Sequence, residues 1–195
     1  MIALSTACAG QDDLAACLTA FHGLEAEAAA LHRPARREEA PALAALARRW
    51  HYAAVFGAGG ADVGCRLVVL EGGPAGTDRE RSLEELCRRI HALRGARVAL
   101  RTPLDPAHHP SPAEIGLIAS EVKGTGYWHE EARGGLAHLA AAGGHLLGAS
   151  FDPLLESDLV ALREALPAAA PKVILCRPGA PLAEALRIAL GIFRG

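Results

Sequence analysis

The sequence predicts an α/β chain of eight β/α units closed into a barrel. Three observations lead there. Short apolar runs of strand character alternate with helical patterns along the whole chain. Polar and ionisable residues gather where those runs stop, as they do at the C-terminal ends of parallel strands. The runs are evenly spaced with no long insertion, which suits closure better than the alternative, a doubly wound open sheet. At 195 residues the chain allows about 24 per unit, against about 31 in a barrel of ~250. The expected fold is thus a trimmed (β/α)8 TIM-barrel-like domain spanning residues 1–195.

The elements follow in order. Residues 2–8 read as the first strand, stopped by Gly10, and Asp12 and Asp13 open a helix with Leu14, Leu18 and Phe21 on one face. Residues 24–31 are rich in Ala and Glu, which favours helix. Their place between two helical patterns argues instead for the second strand, with Glu25 and Glu27 on one face. Pro41 begins another helix, with Leu43, Leu46 and Ala47 inward, and residues 52–56 form the third strand.

Gly57-Ala-Gly-Gly-Ala-Asp-Val-Gly64 leads directly to the fourth strand, residues 66–70. That loop is shorter than the dozen or more residues a crossover helix takes. Extended at ~3.3 Å per residue it still reaches ~26 Å, enough to retrace ~17 Å of strand. The crossover helix between strands three and four is therefore expected to be missing or vestigial. The apolar flank so exposed would suit a homo-oligomer.

From there the alternation is plain. Ser82 and Glu85 predict a capping box for a helix with Leu83, Leu86, Ile90 and Leu93 inward, ended by Gly95. Strand 97–100 follows. Ser111-Pro-Ala-Glu114 starts the next helix with Pro at its first position. Strand 125–128, a helix over about 131–142 and strand 145–149 come next. Leu155, Leu159, Leu162 and Leu166 mark a helix, residues 172–176 the last strand, and Pro181 opens the last helix.

Composition narrows the function classes. A formal charge of −2 with Arg and Glu interspersed leaves no basic stripe to neutralise a run of phosphates, which argues against nucleic acid. No stretch approaches the ~18 apolar residues of a membrane span, and the apolar run at the start breaks at Ser5-Thr6, a poor signal peptide. Five cysteines, odd in number and without paired CxxC spacing, suggest reduced thiols in a cytoplasmic protein. Cys8 and Cys176 end the first and last strands, which become neighbours on closure. Gly57-Ala-Gly-Gly-Ala-Asp62 lacks the third glycine and the following helix of a dinucleotide fingerprint.

The stretch Gly124-Thr-Gly-Tyr-Trp-His-Glu-Glu131 is the centre of the candidate site: strand, then a polar cluster, then helix. Its residues Gly126-Tyr-Trp-His-Glu130 resemble the sugar phosphate isomerase/epimerase family, together with Val98-Ala-Leu-Arg-Thr-Pro-Leu104 and Pro112-Ala-Glu-Ile-Gly-Leu-Ile-Ala-Ser-Glu-Val122. These are xylose-isomerase-like TIM barrels, which also include endonuclease IV. Val68-Val-Leu-Glu-Gly-Gly73 is similar to that family's fourth strand and Leu175-Cys-Arg-Pro-Gly-Ala-Pro181 to its eighth. The resemblance implies a divalent metal at the mouth, held by carboxylates and histidines. The metal would stabilise an enediolate while acidic residues move a proton between carbons. In this chain Arg101 and Arg177 stand at strand ends where the resemblance implies carboxylates, and a permanent positive charge repels a cation.

Closure would gather Thr6, Cys8, Glu27, His32, Glu71, Arg101, His129, Glu130, Ser150, Asp152 and Arg177 at one mouth. Arg101 and Arg177 are suited to clamp a phosphate or carboxylate bidentately. Glu130 or Glu71 would act as base and His129 as acid. Trp128 would offer a face to a sugar-like ligand, with His32 and Asp152 as further contacts. The expected partner is thus a small anionic or sugar-like molecule and the expected activity isomerase- or epimerase-like. The same charges admit another arrangement, in which the arginines neutralise Glu71, Glu130 and Asp152 and hold a metal-free, catalytically degenerate barrel shut.

Overall fold

The computed structural model describes residues 2–5, 28–31, 38, 41, 53–56, 67–72, 78–93, 97–121, 125–154, 159–175 and 181–194. Eight parallel strands form a closed barrel in chain order: β1 (Ile2–Ser5), β2 (Ala28–Leu31), β3 (Ala53–Phe56), β4 (Leu67–Glu71), β5 (Arg97–Arg101), β6 (Thr125–Glu130), β7 (Leu146–Phe151) and β8 (Lys172–Ile174). Closure is carried by β1 against β8, where Ile2, Ala3 and Leu4 pair with Lys172, Val173 and Ile174. The predicted barrel is therefore the observed one, and the second strand forms at Ala28–Leu31 despite its helix-favouring composition. β3 and β4 pair directly. The shortened crossover between them, and the flank it was expected to expose, lie outside the described residues.

The described helices are α1 (Arg79–Ala92), α2 (Pro112–Glu121), α3 (Glu131–Ala142), α4 (Leu159–Ala165) and α5 (Leu182–Arg194). At α2 the predicted start holds: Ser111 N–H donates to Glu114 Oε2 at 2.7 Å, and Glu114 N–H donates to Ser111 Oγ at 3.3 Å. At α1 it does not. The cap is Asp78, whose carboxylate accepts from Arg81 N–H at 3.0 Å, and Ser82 Oγ instead donates back to the Asp78 carbonyl at 2.9 Å. Asp is as good an N-cap as Ser and stands one turn earlier, so it captures the helix start. No described helix is long and apolar enough to cross a membrane.

Two apolar layers result from strand alternation. Ala3, Leu67, Val69, Ala99, Trp128 and Val173 fill the barrel interior. Val68, Leu70, Val98, Leu100, Tyr127, Ala149 and Ile174 face outward, packed with helix residues such as Leu86, Ile118, Leu139 and Leu186. Trp128 is the largest fully buried side chain among the described residues. Its Nε1 donates to Ser150 Oγ at 2.7 Å. Room for the ring comes from Gly148, next to the irregular register of β6 and β7, where an added Cβ would stand 2.5 Å from the indole.

Candidate site at the barrel mouth

Glu71, Arg101 and Glu130 end β4, β5 and β6 in the same parity as Val69, Ala99 and Trp128, so all three belong to the inner face at one rim. A fourth group joins them from the first turn of α3. Arg133 NH1 donates to both Glu71 oxygens, at 2.8 and 2.9 Å, and to the Thr102 carbonyl at 3.3 Å. Its Nε lies 3.3 Å from Glu130 Oε1. Arg101 completes the ring, donating from NH2 to Glu71 Oε1 at 2.7 Å and from NH1 to Glu130 Oε2 at 3.3 Å. Among the described residues, two guanidinium groups and two carboxylates thus alternate around a ring.

The members differ sharply in exposure. The side chains of Arg133, Arg101 and Glu130 are 11%, 16% and 10% exposed, whereas Glu71 is 51% exposed. Three members are held in the protein and the fourth reaches in from water. Arg133 gets there through a local departure from helix geometry. Gly135 lies at φ 55°, ψ −169° inside α3, a conformation open to glycine, so the turn carrying Arg133 is set apart from the rest of the helix.

His129 does not belong to this rim. β6 runs on through Glu130, so His129 and Glu130 point to opposite faces of the strand. The expected acid therefore stands outside the barrel, its ring stacked on His138 of α3 with centroids 6.3 Å apart. Tyr127 and His109 also meet His138 edge-on, and Thr102 Oγ1 shares a hydrogen bond with His138 Nε2 at 2.6 Å. Both histidines are 5% exposed. Burial lowers His129 from 6.5 to about 4, with Glu130 opposing weakly. Burial, then the charges of His129 and His109, takes His138 to about 4 as well. The Tyr127 hydroxyl is pushed up by burial.

Trp128 is fully buried, so the expected stacking platform offers no face to a ligand. Asp152 lies just past β7, 5% exposed. Its Oδ1 accepts from Leu154 N–H at 2.9 Å, and its own N–H donates to Glu131 Oε2 at 3.3 Å, so it helps shape the β7 turn. His32 and Arg177, with Thr6, Cys8, Glu27 and Cys176, lie outside the described residues.

Among the described residues, no three His, Cys, Asp or Glu side chains converge as metal ligands. The rim itself does not fit a divalent cation. Each of its carboxylates is engaged by two guanidinium groups, whose charges would oppose a third positive centre. Carboxylates and arginines placed this way can hold an anion and exchange one acidic partner for another.

No family model matches the sequence, and no curated protein matches it. Among solved structures the chain is similar to a xylose isomerase domain protein from Planctomyces limnophilus, with TM-score 0.67 and 14% identity over 98% of this chain and 95% of that one. It is also similar to an HMG-CoA lyase from Brucella melitensis, with TM-score 0.55 and 11% identity over 99% and 96% of the two chains. At these identities the likeness is one of fold.

Proposed function

We propose that the barrel mouth binds a small anionic, sugar-like ligand through Arg101 and Arg133, without a metal. The observation that carries this reading is the convergence of two largely buried guanidinium groups on a single exposed carboxylate. Arginine suits carboxylate and phosphate oxygens because its planar fork donates two parallel hydrogen bonds. Arg133 joins Arg101 in this reading, while Arg177, the second half of the clamp expected from the sequence, lies outside the described residues. The ligand class is a sugar phosphate or a hydroxycarboxylate.

A second reading makes the protein an isomerase or epimerase on the same ligands. It is favoured by the fold likeness to a xylose isomerase domain protein and by Glu130 on the inner rim, where a carboxylate can reach a bound carbon acid. Both readings need the anion site. Calorimetric titration with a panel of sugar phosphates and hydroxycarboxylates tests it. Arg101→Met should weaken binding at least tenfold, since a charge-assisted hydrogen bond contributes ~1.5–3 kcal/mol. Binding that ignores this substitution, or a panel without any binder, removes the clamp. Proton–deuterium exchange at carbon in a bound sugar phosphate separates the enzyme from the binder.

A further inference from the structure

The resident carboxylate of the ring suggests how the ligand enters. We propose that Glu71 is an internal stand-in for the ligand's acidic group, displaced from Arg101 and Arg133 when a carboxylate or phosphate binds. This inference rests on the anion-binding reading above and adds its gate.

Three features of the ring support it. Glu71 Oε1 bridges the two guanidinium groups at 2.7 and 2.8 Å while Oε2 adds a contact to Arg133 at 2.9 Å. Two oxygens of a ligand carboxylate or phosphate reproduce that pattern. Exposure is the second feature. Glu71 is half in water, so its carboxylate rehydrates on leaving at little cost, while the two guanidinium groups it leaves are largely buried and favour an incoming anion. The third is Glu130, which contacts both arginines from the buried side at 3.3 Å. With Glu71 withdrawn, Glu130 still holds the two guanidinium groups side by side.

Charge sets the selectivity. With Glu71 seated the charges of the four described groups sum to zero. With it withdrawn, two cations face one carboxylate, and the incoming anion must outcompete a carboxylate tethered to β4. A dianion is favoured over a monoanion at such a site. Neutral sugars gain nothing from displacing Glu71.

The test is calorimetric titration of the full chain with inorganic phosphate and with glucose 6-phosphate, comparing wild type, Arg101→Met, Glu71→Gln and Glu71→Gln combined with Arg101→Met. The expected result is binding about tenfold tighter or more in Glu71→Gln, lost again in the double variant. Wild-type and Glu71→Gln affinities that agree, with both sensitive to Arg101→Met, overturn the stand-in and leave the anion site standing. Absence of Arg101-dependent binding in every variant overturns both. Should Glu71→Gln fold poorly, 13C NMR of the wild-type Glu71 carboxyl during phosphate titration decides the same question. A shift to the position of a hydrated carboxylate supports displacement, and an unmoved signal at saturation refutes it.

Discussion

The stacked pair His129 and His138 makes the protein acid-sensitive in a window that can be calculated. Both rings are buried, and burial takes each from the ordinary 6.5 to about 4. Above pH 6.5 the folded and unfolded chains are both neutral at these positions, and no stability is at stake. Between pH 6.5 and 4 the unfolded chain takes up protons that the folded one refuses, so stability falls with pH. Below about 4 the loss is complete. A depression from 6.5 to about 4 corresponds to ~3 kcal/mol for one histidine. The charge of His129 is already among the causes that lower His138, so the two depressions add and the pair costs about twice that, ~6–7 kcal/mol. Urea unfolding followed by circular dichroism from pH 7.5 to 4.5 reads this directly. Wild type should lose ~1.4–2.7 kcal/mol per pH unit between 6.5 and 5, a range above carboxylate titration. His129→Phe should lose about half as much, because one of the two titrating rings is gone, and among the described residues His129 Nδ1 has no hydrogen bond to forfeit. A flat wild-type profile across that range, or an unchanged slope in His129→Phe, refutes the argument.

Two further outcomes follow from other parts of the fold. Gly135→Ala should cost ~1–3 kcal/mol, since φ 55° with ψ −169° is closed to residues with a Cβ, and it should weaken anion binding by shifting Arg133. Thermal melts and the titrations above check both effects, and a variant as stable as wild type would deny the kink its role. Glu114 is held down at about 2, chiefly by its hydrogen bond from Arg79 and also by Ser111, so it contributes stability above the ordinary carboxylate range that is lost as pH falls from 4.5 toward 2. Glu114→Ala should cost about 1 kcal/mol at neutral pH through the lost capping box. Glu114→Gln, which can still cap but has no charge to set against Arg79, should abolish the stability loss between pH 4.5 and 2, and a loss that persists in this variant would assign it to other groups.

How much of this is legible in the sequence depends on which physical rule a residue obeys. The barrel is readable because period-2 and period-3.6 patterns alternate locally along the chain, and even residues 28–31 find their strand by their position in that alternation. Glu71, Arg101 and Glu130 are visible because a strand end is a local feature. His129 is misplaced by a pattern that ends the strand at Trp128. Two more residues of strand send His129 and Glu130 to opposite faces, and a side chain's face is a parity that a boundary error destroys. The same parity puts Trp128 inside the barrel, packed with Leu67, Val69 and Val173.

Arg133 escapes for a different reason. Its partner Glu71 is 62 residues away in sequence, a pairing that no local pattern records. One signal is present, the Gly134-Gly135 pair inside a helical pattern, which marks a break in the helix and frees the preceding turn. That break decides the chemistry of the mouth. With Arg101 alone, two of the described carboxylates would face one described guanidinium. The second guanidinium, on the turn set apart by the Gly135 kink, balances the two carboxylates.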